Sequence, residues 1–137
     1  MKVDLDKILD ALEMVNENSQ AYFNTDTGEI EWLSDFLDSS EYEDAAERIE
    51  FGNFISLPTK YDIHEYRIME DFIYSLPTGE MQNKLHRAIK GKGAFRRFKD
   101  TVNYLGVDKD WYSFRDEAYR NIASEWCREN GLDELKE

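Results

Sequence analysis

The stretch Gly91–Asp100, with the sequence GKGAFRRFKD, predicts a junction between two helices. Gly91 follows apolar residues at helical spacing, and glycine is the usual residue just beyond a helix C-terminus. A new apolar stripe begins after Gly93 and ends before Gly106. Its members are Phe95, Phe98, Val102 and Leu105. We therefore expect one helix to stop near Gly91 and the next to begin near Gly93.

Helical patterns continue on both sides of this junction. Upstream, an apolar stripe stops before Pro77, and Thr78 is predicted to cap the next helix. The two stripes consist of Met69, Phe72, Ile73 and Leu76, and of Met81, Leu85, Ala88 and Ile89. Downstream, Asp108 is predicted to cap a long helix that ends at Asn130-Gly131. Its inward positions are Trp111, Phe114 or Arg115, Ala118, Ile122 and Trp126. From Asp62 onward the chain is predicted to be helix-rich.

The N-terminal half mixes helical and strand patterns. Residues 4–16 predict an amphipathic helix, and residues 21–23 and 29–33 predict a β-hairpin around a loop that contains Gly28. Ser39 or Ser40 can cap a short helix from 41 to 49, and residues 54–57 predict a third strand that ends at Pro58. The predicted fold class is α+β, with a small antiparallel sheet and a helix-rich C-terminal half.

Length and composition favour one domain that spans residues 1–137. A chain of 137 residues with 41% apolar residues can bury one continuous core. Cys127 is the single cysteine, so no disulfide can form within the chain. The N-terminus lacks an uninterrupted apolar segment, and no run of about 18 apolar residues occurs. A cytoplasmic protein that does not span a membrane is therefore predicted.

The charge pattern singles out residues 84–99, which hold seven Lys or Arg and no acid in a chain of net charge -13. One interpretation is an anion site or a contact for an acidic partner. Its candidate residues are Lys92, Gly93, Arg96, Arg97 and Lys99. A second interpretation is that these cations pair with the chain's own acids, such as those of residues 35–50, within one molecule or across a dimer. Both interpretations stay open at the level of sequence.

The same stretch bears on nucleotides and nucleic acids. Its glycine spacing departs from the Walker loop and from the dinucleotide fingerprint, so nucleotide hydrolysis is not predicted. RNA or a phosphate ligand at Gly91 to Arg97 is the alternative hypothesis, although the net charge opposes nucleic acid. Phe95 and Phe98 lie three apart on one helical face and are predicted to be buried rather than to stack on bases.

No catalytic constellation is recognisable elsewhere. His64-Glu65 begins like a zinc-protease motif, but Ile68 stands where the second histidine belongs, so no metal is predicted. Cys127 near a helix C-terminus is not predicted to be a nucleophile. No cofactor is expected. The leading hypothesis is a noncatalytic interaction module, and an enzyme acting through carboxylates on an anionic substrate is the third hypothesis.

Several segments form a combined pattern: Tyr66, Met69, Phe72-Ile73, the string Gly91–Asp100, Trp111-Tyr112-Ser113-Phe114, and Trp126 with Asn130-Gly131. This pattern resembles the bacterial uncharacterised protein family (UPF) number 0158. The resemblance covers residues 61 to 131. It implies a bacterial cytoplasmic protein with the basic junction as the family's signature, and it implies no reaction.

Overall fold

Strands occur on both sides of residues 60–129, which contain helices and the turns between them. The computed structural model describes residues 2–134. In chain order the elements are β1 (Lys2–Val3), α1 (Leu5–Met14), β2 (Ser19–Asn24), β3 (Ile30–Ser34), α2 (Ser39–Phe51), β4 (Phe54–Ser56), α3 (Lys60–Ile63), α4 (Glu65–Ser75), α5 (Glu80–Ala88), α6 (Ala94–Leu105), α7 (Asp108–Glu129) and β5 (Asp133–Glu134). The predicted α+β class and helix-rich C-terminal half are confirmed.

The chain divides into two units, of which the first comprises residues 2–63 and 119–134. Its antiparallel sheet has the order β3-β2-β4, so the predicted hairpin and third strand are confirmed. The central strand β2 carries Phe23, which is 1% exposed and meets the ring of Trp126 edge-on at a centroid distance of 5.8 Å. One face of the sheet is thereby covered by α7.

The hairpin loop is stabilised by its own polar side chains. Asn24 Oδ1 accepts hydrogen bonds from the backbone N–H groups of Asp26 at 2.8 Å and Thr27 at 3.2 Å. Gly28 then takes a φ of 77°, a left-handed conformation that costs glycine no steric strain. The predicted role of Gly28 in this loop is confirmed.

A second, parallel sheet joins the two ends of the described chain. Lys2 pairs with Asp133 and Val3 pairs with Glu134, in strands of two residues each. No sequence pattern predicted this pairing, because two residues are too few to show an alternation.

Three predicted helix caps are wrong. At α7, Asp108 is the first residue of the helix and lies inside its first turn, so it is not the residue that caps it. Asp38 caps α2, since its Oδ1 accepts from the backbone N–H of Glu41 at 2.8 Å, while Ser39 and Ser40 lie inside the first turn. An acceptor three residues before that N–H is in the favoured capping position. At α5 the cap is Gly79, and no side chain caps the helix, because Thr78 lies one residue too early.

The second unit comprises residues 64–118 and packs its helices around three aromatic rings. Phe98 lies 4.8 Å from Trp111 and 6.2 Å from Phe72 between ring centroids, in edge-to-face geometry. Glu65 and Arg115 join α4 to α7 through a contact of 2.7 Å. The unit boundary falls within α7, after residue 118, and the single-domain interpretation stays a prediction.

Candidate functional site

The junction, residues 89–93, connects α5 to α6 through two glycines in left-handed conformations. Gly91 has a φ of 77° and Gly93 a φ of 75°. Gly93 is the N-cap of α6, and a Cβ added there would lie 3.1 Å from the Nη1 of Arg97. Glycine is therefore needed at position 93 for its backbone angle and for the close approach of this guanidinium.

Arg97 holds the junction together from inside α6. Its Nε donates to the carbonyl oxygen of Ala88 at 3.0 Å, and its two Nη atoms donate to the carbonyl oxygens of Lys90 and Lys92. The hydroxyl of Tyr66 donates to the carbonyl of Ile89 at 2.9 Å. The end of α5 and the turn that follows it are thus capped by side chains. Arg97 therefore has a structural role, although the sequence pattern did not distinguish it from Arg96.

The other cations of the junction and of the first two turns of α6 have no such partner. We call Lys90, Lys92, Arg96 and Lys99 the basic cluster. Each is exposed, and none forms a hydrogen bond or ion pair through its side chain with any residue in 2–134. The contacts of Arg97 tie the backbone of positions 90 and 92 to the first turn of α6. The basic cluster is therefore anchored at its backbone and free at its charged ends.

The N-terminus of α6 adds positive potential to the basic cluster. Gly93 provides no side-chain cap, and the first turn contains no acid. The first N–H groups of a helix lack partners within the helix, and they form the positive end of its dipole. Arg96 lies in the first turn of α6 and Lys99 in the second, and both are exposed. The positive charges of the basic cluster and the N–H groups at the start of α6 together favour binding of an anion.

The prediction that both phenylalanine rings of this stretch are buried is confirmed for Phe98 and wrong for Phe95. Phe98 is 1% exposed, but Phe95 is 53% exposed and contacts the edge of Tyr66 at a centroid distance of 6.5 Å. Phe95 lies in the first turn of α6, and about half of its side chain is open to solvent. The basic cluster is therefore accompanied by an exposed aromatic ring.

Comparison with known proteins gives a family and no activity. The model of the Uncharacterised protein family (UPF0158) matches residues 1–137. The chain belongs to this family. The resemblance predicted from residues 61 to 131 is confirmed, and the match extends over the N-terminal half as well. No curated protein and no solved structure matches the chain.

The segment His64-Glu65, which begins like a zinc-protease motif, lies at the start of a helix. His64 immediately precedes α4 with a left-handed φ of 54°, and its neighbour Glu65 contacts Arg115. Within residues 2–134 no group of three His, Cys, Asp or Glu side chains is arranged to hold a metal ion. The zinc-protease pattern thus corresponds to a helix start.

Cys127 lies in the core of the first unit. It is 1% exposed, and burial raises the pKa of its thiol, with a further increase from the negative charge of Glu134. The thiolate is the nucleophilic form of cysteine, so both effects lower its population in the folded protein.

Among the described helices, none is both long enough and apolar enough to cross a membrane.

Proposed function

We propose that this protein is a noncatalytic interaction module of the bacterial cytoplasm, and that its basic cluster contacts an acidic partner. The observation that carries the proposal is that the four cations of the basic cluster are exposed, close together in the chain and without a side-chain partner in residues 2–134, whereas other unpaired cations of that range, such as Arg67 and Lys109, are separated from one another in the chain. Six basic side chains elsewhere pair with the chain's own carboxylates: Lys7, Arg48, Lys60, Arg87, Arg115 and Arg128. The basic cluster stays unpaired among the described residues, although the chain contains 30 acids.

An acidic partner fits both properties of the cluster. Carboxylates on a partner would neutralise Lys92, Arg96 and Lys99 and would also interact favourably with the positive end of α6. Because the rest of the surface is acidic, an acidic partner would be repelled elsewhere and oriented toward this one region. The absence of a disulfide within the chain and the family resemblance support the proposed compartment.

The test is binding of a fluorescein-labelled decaglutamate peptide, followed by fluorescence anisotropy at low and at physiological salt. The variant Arg96→Glu/Lys99→Glu should bind at least about tenfold more weakly, since two contacts change from attraction to repulsion. The control is Arg67→Glu/Lys109→Glu, which changes the net charge equally at two exposed cations outside the cluster. Equal weakening in both variants, or no binding by the unaltered chain at low salt, would exclude the proposal.

RNA is the second candidate, and the exposed ring of Phe95 favours it. Single-stranded nucleic acid is bound by cations beside aromatic rings on which bases stack, and stacking contributes about 1–3 kcal/mol per base. Phe95→Ala should therefore weaken binding of a labelled single-stranded RNA by about five- to a hundredfold, with strong salt dependence. The same variant should leave decaglutamate binding unchanged. RNA binding that is insensitive to Phe95→Ala would argue against a stacking site.

A further inference from the structure

A groove in the first unit lies between the end of β4 and the C-terminal part of α7. Its volume is about 510 Å³, and no member of the basic cluster lines it. Leu57, Pro58, Ile122 and Trp126 provide its apolar lining, and Leu57 and Trp126 are almost fully buried. The indole N–H of Trp126 donates to the carbonyl of Ser56 at 2.9 Å, which joins the helix side of the groove to the strand side. The groove is therefore formed by fixed elements.

The charged groups around this apolar surface are acidic. Asp62, Glu125 and Glu129 line the groove, and no Lys or Arg among residues 2–134 does. Asp62 is held in place because its Oδ2 accepts from the backbone N–H of Thr59 at 2.9 Å. Glu125 contacts Arg128 at 2.8 Å in an exposed pair, whereas Glu129 has no partner among residues 2–134. The groove thus combines an apolar floor with a negative rim.

The two glutamates on α7 are unfavourably placed in the free protein. They are four residues apart, so their like charges face each other along the helix. They also lie in the last two turns, where the helix dipole already supplies negative potential. A cation bound in the groove would relieve both effects. Local electrostatic conflicts of this kind are expected at functional sites.

We propose that this groove binds a basic segment of a partner protein. The methylene groups of a lysine or arginine side chain would pack on the partly exposed Pro58 and Ile122, and the charged end would lie between the carboxylates of the rim. Long basic side chains combine an apolar stem with a charged head, which matches the apolar floor and acidic rim of the groove. An acidic ligand is excluded here by the same charges that favour a basic one.

The experiment is a titration of the full chain with acetylated, amidated octalysine, followed by two-dimensional ¹H–¹⁵N NMR. The indole N–H of Trp126 reports on the groove, and those of Trp32 and Trp111 serve as internal references, since neither lines the groove. We expect a saturable shift of the Trp126 signal alone. A titration in which that signal does not shift would overturn the proposal.

Paired variants separate the groove from general attraction to an acidic protein. Glu125→Gln/Glu129→Gln should weaken octalysine binding about five- to twentyfold, as expected for losing two ion pairs. The melting temperature of this variant should change little, because removal of the like-charge pair is offset by loss of the exposed Glu125–Arg128 ion pair. Glu43→Gln/Glu47→Gln removes an equivalent exposed pair from α2 and should leave binding unchanged.

Three outcomes would contradict the proposal. Equal weakening by both variant pairs would indicate diffuse electrostatic binding. A Trp126 shift that spermine produces at the same concentration as octalysine would assign the groove to small polyamines instead of a protein segment. Octalysine binding that is unchanged in Glu125→Gln/Glu129→Gln would place the contact elsewhere.

Discussion

Replacing Arg97 by alanine should destabilise the protein far more than replacing its neighbour Arg96. Arg97 donates to the carbonyls of Ala88, Lys90 and Lys92, whereas Arg96 donates to no described residue. The substitution removes the cap of α5 and leaves these carbonyls to find water or stay unpaired. The two arginines are adjacent and both exposed, so they form a matched pair.

The expected loss of stability depends on how far each hydrogen bond of Arg97 is buried. The bond to Ala88 is half-buried, and a hydrogen bond from a charged donor contributes about 1.5–3 kcal/mol there. The bonds to Lys90 and Lys92 are exposed, and water replaces much of their energy. We therefore expect Arg97→Ala to lower the free energy of unfolding by about 2–4 kcal/mol. Arg96→Ala should change it by less than about 0.5 kcal/mol.

The measurement is urea denaturation followed by circular dichroism, with the two variants and the unaltered chain at the same pH and salt. Arg97→Lys keeps the positive charge but lacks the planar fork, so it should recover less than half of the lost stability. Equal stability of Arg97→Ala and Arg96→Ala would refute the structural role of Arg97. Full recovery by lysine would show that charge, and not the guanidinium geometry, holds the junction.

Three further predictions concern the core and the junction. Phe98→Ala should cost about 3–5 kcal/mol in urea denaturation, because its ring is buried, and Phe95→Ala about 1 kcal/mol, because half of its ring is exposed. Because the pKa of Cys127 is raised in the folded protein, its thiol contributes stability below the unfolded thiol pKa of about 8.5. This contribution is lost as pH rises through the folded pKa, so the free energy of unfolding should fall less at alkaline pH in Cys127→Ala. Gly91→Ala and Gly93→Ala should each cost at least about 1 kcal/mol in left-handed strain, and Gly93→Ala more, since its Cβ would meet a guanidinium nitrogen at 3.1 Å; equal costs would contradict the close approach.

Local patterns predicted most elements, because helix and strand periodicity is carried by residues near each other in the chain. The stripe in α4 and the hairpin around Gly28 were placed correctly for this reason. The cap predictions at α2, α5 and α7 failed by one or two residues, since several neighbouring residues can each precede a helix and the sequence does not rank them. The strands β1 and β5 were missed because their pairing joins residues more than a hundred positions apart.

The sequence by itself determined that residues 84–99 are basic, that glycines interrupt them and that a helix starts after Gly93, since charge and helical spacing are properties of the chain alone. The tertiary structure decided which cations can contact a partner. Arg96 and Arg97 are chemically identical neighbours, and they differ because the carbonyls of residues 88, 90 and 92 lie within reach of Arg97 alone. Phe95 and Phe98 likewise share one stripe, but their burial depends on which elements cover each ring. Those differences arise from contacts made in space, which no local pattern encodes.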